Sequence, residues 1–313
     1  MPKIALVGTW IVSFFYGSML LAQIEPRFVN VVDNSVLINP SLSGATNDLR
    51  FTLLNHQQWV GPAYQLNSTY GMYDMAFNHE SMGFALAYSN WKTTGAHQQR
   101  IKLAYSYKLR IGKSRLAAGA GFGLEQNKMQ YDYFTARDND DPSKVTGLNV
   151  WGKTVDVGIS LNSNKYLLAA SLTQAVDANS FGVKRKGFLL AKYKVNVVDK
   201  VFFVPSLMVR TQTEFMSVIY LGGSFRFQEI CWVGMQYISS GELAFQCGAH
   251  LNQIIKTINH QVKVGYAYQL GVSNFAVNSG GSHEVFLVLG LRPRPKTENI
   301  LKRKMIISPQ LLY

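Results

Sequence analysis

The chain has 313 residues, 47% of them hydrophobic, and its 31 Lys and Arg against 18 Asp and Glu give a formal net charge of +13. Nucleic-acid binding is excluded as a main function, because the basic residues are scattered and none of the nucleic-acid-binding motifs is present. A mean hydropathy of +0.01, with 16 Tyr, 18 Phe and 26 Gly, favours β-structure with many turns.

The first residues have the pattern of an export signal. Lys3 precedes an apolar run that reaches Leu21, and Ala22 comes just before the polar Gln23. This pattern predicts a signal peptide, residues 1–22, cleaved near Ala22, with a membrane-anchor helix as the alternative. No later stretch reaches the ~18 uninterrupted apolar residues of a spanning helix. The chain is therefore expected to be exported and, if it lies in a membrane, not to be helical.

Residues 23–47 are predicted to form a structured periplasmic lead-in or plug segment. In the stretch INPSLSG, Pro40 favours an extended or turn conformation at Asn39, and Gly44 permits a sharp bend. We expect this segment to fold into or under the domain that follows it.

From residue 48 to residue 292 the sequence alternates with period two. In IKLAYSYKLRIG, Ile101 and Leu103 lie on one face of the strand, whereas Lys102 and Ala104 lie on the other. Strict alternation predicts strands with one apolar and one polar face. About fourteen such segments fall near residues 49–58, 67–78, 82–91, 97–110, 114–127, 153–161, 165–173, 186–196, 200–211, 215–227, 230–238, 242–251, 259–270 and 282–292.

These segments predict an all-β fold, a transmembrane antiparallel β-barrel of about 14 strands in the outer membrane. Many have the roughly 9–11 residues that cross a bilayer at a tilt, and an even number closes without an unpaired edge in lipid. Connections after even-numbered strands are mostly short, whereas the long ones, residues 127–152, 174–185 and 271–281, follow odd-numbered strands. Short periplasmic turns and long outer loops are typical of outer-membrane barrels.

On the lumen face of the fifth strand, the stretch AAGAGFGLEQ places Gly119, Gly121 and Gly123 at period two. A nucleotide-binding loop would need a phosphate-cradling turn and a following helix, which this stretch does not predict. Small inward residues instead indicate room for a folded-in N-terminal segment.

The chain has two cysteines, Cys231 and Cys247, on the apolar faces of two neighbouring predicted strands. A cross-strand disulfide depends on the register of the two strands, and a pair of lipid-facing thiols is the favoured alternative. Neither cysteine has a His at ligand spacing, so no metal site is predicted. The acidic loop at residues 138–144 lacks the Gly and the final Glu of an EF-hand loop, and it is interpreted as a solvated outer loop.

The stretch GGSHEVFLVLGLR contains Ser282, His283 and Glu284, which have the side chains of a hydrolase triad. Adjacent strand residues point to opposite faces, so His283 and Glu284 are not expected to share a hydrogen-bonded relay. Glu284 is expected on the lumen face, paired with a Lys or Arg of the barrel wall. The sequence therefore predicts neither an enzyme nor a cofactor.

Three short motifs lie at the two ends of the barrel region. Their residues are Asn39, Pro40, Ser41 and Gly44 in INPSLSG, then Gln58, Trp59 and Gly61 in HQQWVG, then Ser282, His283 and Glu284 in GGSHEVFLVLGL. In order and spacing these motifs resemble those of the PorP/SprF family of type IX secretion membrane proteins, and the resemblance covers nearly the whole mature chain. That family typically has an Asn-Pro-Ala/Ser element with a nearby Gly, then Arg-x-Gln-Trp-x-Gly, and a Ser-His-Glu near its end. His56 stands where the family commonly has Arg.

The resemblance implies a non-enzymatic outer-membrane barrel of the type IX secretion or gliding machinery. It implies binding or anchoring of secreted surface proteins through their C-terminal sorting domains, with the motif residues as candidate partner-binding residues. Other secretion-system components and outer-membrane lipid are the further expected partners. The alternative is a passive outer-membrane channel for small or hydrophobic solutes. Residues 293–313 form a basic C-terminal tail, either a handle for periplasmic machinery or disordered surplus.

Overall fold

The alternating residues form one continuous antiparallel sheet in the computed structural model of the protein. The structure describes residues 28–30, 32, 34–46, 49–61, 65–77, 80–129, 148–177, 185–212, 215–228, 230–255, 260–271 and 280–291. The predicted signal peptide, the acidic loop at residues 138–144 and the basic tail lie outside these residues. Their assignments stay predictions, as do the domain boundaries.

Fifteen strands form the sheet. They are β1 (Leu49–Gln58), β2 (Leu66–Phe77), β3 (Met82–Thr93), β4 (Ala96–Ile111), β5 (Ser114–Met129), β6 (Leu148–Asn162), β7 (Tyr166–Asp177), β8 (Lys186–Tyr193), β9 (Val195–Val198), β10 (Val201–Gln212), β11 (Phe215–Phe227), β12 (Cys231–Ile238), β13 (Glu242–His250), β14 (Gln261–Gly271) and β15 (Ser282–Leu291). A single-turn helix, Leu251–Ile254, connects β13 to β14.

The sheet closes on itself as a barrel of 14 strands. Consecutive strands pair with each other except for β8 and β9, β15 pairs with β1, and β10 pairs with both β8 and β11. The short β9 follows β8 after one residue and pairs with the same strand, β10, so the two count as one interrupted strand. The predicted fold is confirmed. Of the predicted segments, 186–196 is split at Lys194, and 153–161 begins earlier, at Leu148.

Burial follows the alternation of the sequence. On β4 the apolar Ile101, Leu103 and Tyr105 are exposed on the outer surface, whereas the intervening Lys102 and Ala104 are buried. The same pattern on the other strands gives the barrel an outer apolar belt, which is the surface that a bilayer requires. None of the helices among the described residues is long and apolar enough to cross a membrane.

The register of β12 and β13 decides between the two interpretations of the cysteines. Cys231 lies opposite Ala249, and Cys247 lies opposite Val233, so the two residues are not cross-strand partners. Both thiols are free, and Cys247 is exposed. The lipid-facing interpretation is confirmed.

Candidate functional site: the lumenal segment and its anchors

The described residues of 28–46, which we call the lumenal segment, pack inside the barrel. The segment contains two 3-10 turns, Ser35–Leu37 and Pro40–Leu42. Val32, Val36 and Leu42 are buried in one apolar cluster with inward side chains from ten of the strands. Those side chains include Leu54, Tyr70, Met72, Leu167, Phe188, Leu190, Met208, Tyr220, Trp232 and Phe286. This part of the lumen is therefore a packed core.

The first anchor of the lumenal segment is Asn39 with the turn that follows it. The Asn39 Oδ1 accepts hydrogen bonds from the Ser41 backbone N–H at 2.9 Å and from the Ser41 hydroxyl at 2.7 Å, which caps the 3-10 turn. The Asn39 Nδ2 donates to the backbone carbonyls of Ile159 on β6, at 3.3 Å, and Ala170 on β7, at 3.0 Å. One side chain thus both shapes the turn and ties it to the wall.

Two glycines make room for this turn. Gly119 on β5 and Gly158 on β6 lie directly opposite each other. A Cβ at Gly119 would collide with the backbone of Pro40 and Ser41, and one at Gly158 would collide with the Asn39 side chain. The room expected beside the inward glycines of β5 is thus filled at Gly119 by the lumenal segment.

Gly44 forms the second anchor. It has a φ of +58°, and a Cβ there would collide with the Met75 carbonyl, so both conformation and space favour glycine. Its N–H donates to the Asp74 carboxylate at 3.2 Å, and its carbonyl accepts from the Lys108 ammonium. The buried Asp74 also pairs with Arg50 at 3.0 Å.

Glu284 on β15 forms the third anchor. Its two carboxylate oxygens accept from the backbone N–H groups of Val29, at 2.8 Å, and Asn30, at 2.9 Å. One of them also lies 3.0 Å from the Nδ1 of His56 on β1. The expectation that Glu284 pairs with a Lys or Arg was wrong, because the β1–β15 register brings His56 opposite it and the lumenal segment supplies backbone donors.

The wall also satisfies carbonyl groups of the lumenal segment. Lys102 donates to the Leu37 carbonyl at 3.1 Å, Ser171 to the Ile38 carbonyl at 2.8 Å, and Ser106 to the Ser43 carbonyl at 2.8 Å. Buried irregular backbone is stable only when its polar groups find partners. The inward polar residues of the strands therefore hold the segment in place.

The motif residues that lie beyond these anchors cluster where β1 meets β15. The Trp59 N–H donates to the Ser282 hydroxyl at 3.2 Å. Gln58 is fully buried, and its amide atoms have no partner in the part of the chain that the structure describes. Gly61 is exposed, with a φ of +110° and open space around it. The motif residues thus fall into two groups. The lumenal segment and its contacts bring together Asn39, Pro40, Gly44 and Glu284. The pairing of β1 with β15, which we call the barrel seam, brings together Gln58, Trp59 and Ser282.

His283 points away from the lumen. Its Nδ1 lies 2.7 Å from the Tyr266 hydroxyl on the outer face, whereas Glu284 is buried inside the barrel. The two side chains are therefore on opposite sides of the wall, as the strand geometry predicted. This arrangement argues against a Ser282–His283–Glu284 relay.

Sequence reasoning missed several buried charges of the lumen wall. Glu125 is fully buried and accepts hydrogen bonds from Arg100, from Gln98 at 2.6 Å and from Asn127 at 2.8 Å. Asp156 accepts from Lys102 at 2.8 Å. The signal for these residues was their inward position on alternating strands, because a charge inside a barrel wall requires a partner.

A model of the type IX secretion system membrane protein family PorP/SprF matches residues 20–289, which is far more than half of the chain. The chain belongs to the PorP/SprF family. PorP/SprF membership and the barrel fold make it an outer-membrane component of type IX secretion. None of the curated proteins matches the chain.

The PorP/SprF barrel is also similar to solved outer-membrane barrels. Omp33 of Acinetobacter baumannii has a TM-score of 0.44 and 11% identity, over 79% of this chain and 99% of that chain. The P. putida toluene transporter TodX has a TM-score of 0.45 and 10% identity, over 82% of this chain and 93% of that chain. The translocator domain of the autotransporter NalP from Neisseria meningitidis has a TM-score of 0.40 and 13% identity, over 85% and 93%. At these identities the likeness concerns the fold alone.

Proposed function

We propose that this barrel is a non-enzymatic scaffold that binds or anchors secreted surface proteins through their C-terminal sorting domains. The observation that carries the proposal is the lumenal segment, which fills part of the barrel and is held by three anchors. A barrel with a packed interior is suited to holding a binding surface rigidly. The function then resides in the connections at its rim.

Long connections give that rim its binding surface. Residues 130–147 separate β5 from β6, whereas two residues separate β4 from β5 at the other end of the barrel. Long loops mark the extracellular end of an outer-membrane barrel, and loops on a rigid scaffold commonly carry binding residues. A secreted protein would therefore meet the end at which β1 finishes and β15 begins.

Trp59 is the motif residue best placed to contact a partner directly. It follows the last residue of β1 and is half-buried, and Trp is enriched among the residues that dominate binding energy at interfaces. The other motif residues would act indirectly, because they hold the lumenal segment and the seam beneath the rim.

The test is affinity purification of the tagged full-length protein from its native membrane in mild detergent, with identification of the co-purifying proteins. We expect a large secreted protein with a C-terminal sorting domain, or secretion-system components. Trp59→Ala is expected to lower cargo recovery about tenfold or more. The matched control is Trp151→Ala, because Trp151 faces outward on β6. Equal recovery of cargo with both variants would show that Trp59 is not part of the binding surface. Recovery of the barrel without any partner would argue against the proposed function.

The alternative function is passive transport of small or hydrophobic solutes. Inward Lys and Arg would then line a path and select anions. The lumenal segment disfavours this reading, because Lys102 and Lys108 bind carbonyls of the segment and so are not available to a passing solute.

A further inference from the structure

A row of basic side chains crosses the outer face of three neighbouring strands. Lys92 on β3 lies directly opposite His97 on β4, which lies directly opposite Lys128 on β5. Asn67 on β2 extends the row, since it is the cross-strand partner of Lys92. Lys92 and Lys128 are exposed, and all four residues line one pocket of about 570 Å³ together with Gln65 and Thr94.

The charges of this row are not compensated within the described part of the chain. Neither Lys92 nor Lys128 has a carboxylate within ion-pair distance there. The His97 Nε2 lies 2.6 Å from the Asn90 Oδ1, which orients the imidazole between the two lysines. The pocket therefore has the composition of an anion site.

The position of the row relative to the apolar belt indicates which kind of anion would bind in this pocket. Along the outer faces of β3, β4 and β5 the belt ends with Tyr88, Ile101 and Leu124, which are 42%, 52% and 43% exposed. The next outward row contains Trp151, which lies opposite Gln126 and is 58% exposed. An outward Trp is typical of the headgroup level of a membrane.

The basic row comes immediately after the Trp151 row. Lys128 lies two residues beyond Gln126 on β5, and its partner Asn149 lies two residues before Trp151 on β6. Two such rows span about 13 Å along a strand, or about 10 Å along the membrane normal at the usual strand tilt. The basic row therefore stands at the level of lipid phosphates, on the end of the barrel that carries the long connections.

We propose that Lys92, His97 and Lys128 form a binding site for the phosphate of a phosphorylated glycolipid of the outer leaflet. The acyl chains of the lipid lie against Tyr88, Ile101 and Leu124, and its phosphate accepts hydrogen bonds from the two lysines. The amide groups of Gln65 and Asn67 supply partners for the sugar hydroxyls. The site goes beyond the proposed cargo binding, since it lies on the outer wall and requires no protein partner.

The test uses the purified full-length protein in a nonionic detergent and native mass spectrometry to measure bound lipid. The probes are phosphorylated lipid A, dephosphorylated lipid A and inorganic phosphate. We expect phosphorylated lipid A to bind the wild type and to bind Lys92→Gln/Lys128→Gln about tenfold more weakly, because two charge-assisted hydrogen bonds are lost. Raising the salt concentration is expected to weaken binding to the wild type.

The matched control is Lys113→Gln/Lys165→Gln, which removes two exposed lysines in the short turns at the opposite end of the barrel. Its affinity for phosphorylated lipid A should equal that of the wild type. Equal losses in both double variants, equal binding of dephosphorylated lipid A, or no binding at all would each overturn the proposal. Inorganic phosphate that binds as tightly as the lipid would also overturn it and would indicate a site for free anions. Loss of cargo in the purification experiment leaves these outcomes unaffected, so the two proposals fail separately.

Discussion

Glu284 is the residue that connects the last strand, the first strand and the lumenal segment. Its carboxylate is fully buried and is shared between His56 and the N–H groups of Val29 and Asn30. A buried charge is tolerated only when it is paired or hydrogen-bonded, and here all the partners come from elements more than 200 positions away in the chain. Glu284 thus stabilises both the closure of the barrel and the filling of its lumen.

Replacing this carboxylate is expected to destabilise the folded barrel. Glu284→Gln keeps the size of the side chain but presents an NH₂ group to donors, so at least one buried hydrogen bond is lost. We expect the free energy of unfolding to fall by about 1–3 kcal/mol, measured by urea titration of the protein in lipid vesicles with tryptophan fluorescence.

Glu80→Gln provides the control for that measurement. Glu80 pairs with Arg115, but their side chains are 34% and 21% exposed, and an exposed pair contributes at most about 1 kcal/mol. If both variants lost the same stability, the anchoring role of Glu284 would be wrong.

The lumenal segment depends on recesses in the wall as much as on hydrogen bonds. Gly158→Ala places a methyl group where the Asn39 side chain lies, so the turn at Pro40 has to move away from β6 and β7. Overpacking of this kind costs about 1–3 kcal/mol, and we expect proteinase K to cleave the segment faster in the folded variant than in the wild type.

Gly71→Ala is the matched control for the recess. Its added methyl group would meet nothing closer than the Leu53 Cδ2 at 3.7 Å, which is ordinary van der Waals contact. Cleavage should therefore proceed at the wild-type rate. Faster cleavage in both variants would indicate a general loosening of the barrel, and unchanged cleavage in both would show that the recess at Gly158 does not hold the segment.

The strands and the anchor residues themselves were predictable from the sequence, whereas the partners of the anchor residues were not. Alternation assigns each residue to a face, so the opposite orientations of His283 and Glu284 followed from neighbouring positions alone. The partner of Glu284 depends on the β1–β15 register, which exists only after the barrel closes. Likewise, the bonds from Asn39 to Ile159 and Ala170 span more than 100 positions and have no periodic signal. No pattern in the sequence around His56 indicates that it pairs with Glu284.

The wall of the whole barrel is uneven in height. Strands β4 and β5 have 16 residues each, whereas β12 has 8. The long strands carry outward polar side chains beyond the apolar belt, including His97 and Lys128, and Lys92 on the neighbouring β3 continues their row. One side of the molecule therefore rises beyond the bilayer, which separates a lipid-contacting lower wall from an upper wall that is open to headgroups and partners.

The packing of the lumenal segment inside the barrel predicts how the whole molecule conducts ions in a membrane. The three anchors and the apolar cluster around Val36 and Leu42 hold the lumenal segment packed against the inward side chains of the wall. We therefore expect purified protein in a planar bilayer to give no steady conductance. Deletion of residues 28–46 is expected to produce open-channel currents, because Ser106 and Lys108 lose the carbonyl groups that they bind. Lys102 loses the Leu37 carbonyl and keeps Asp156, and the exposed polar side chains become hydrated.

The deletion has to be compared with a variant that keeps the whole chain, because the shortened barrel can fail to fold. Asn39→Ala/Glu284→Gln removes one of the three anchors and weakens a second, and it should give intermittent currents, whereas Gly71→Ala should stay closed. The heat-dependent shift in gel mobility that folded barrels display verifies folding in each case. Steady wild-type conductance would contradict the packed lumen and favour the transport function. A folded deletion variant that stays closed would mean that the inward side chains of the wall, such as Phe188 and Met208, close the lumen without the segment.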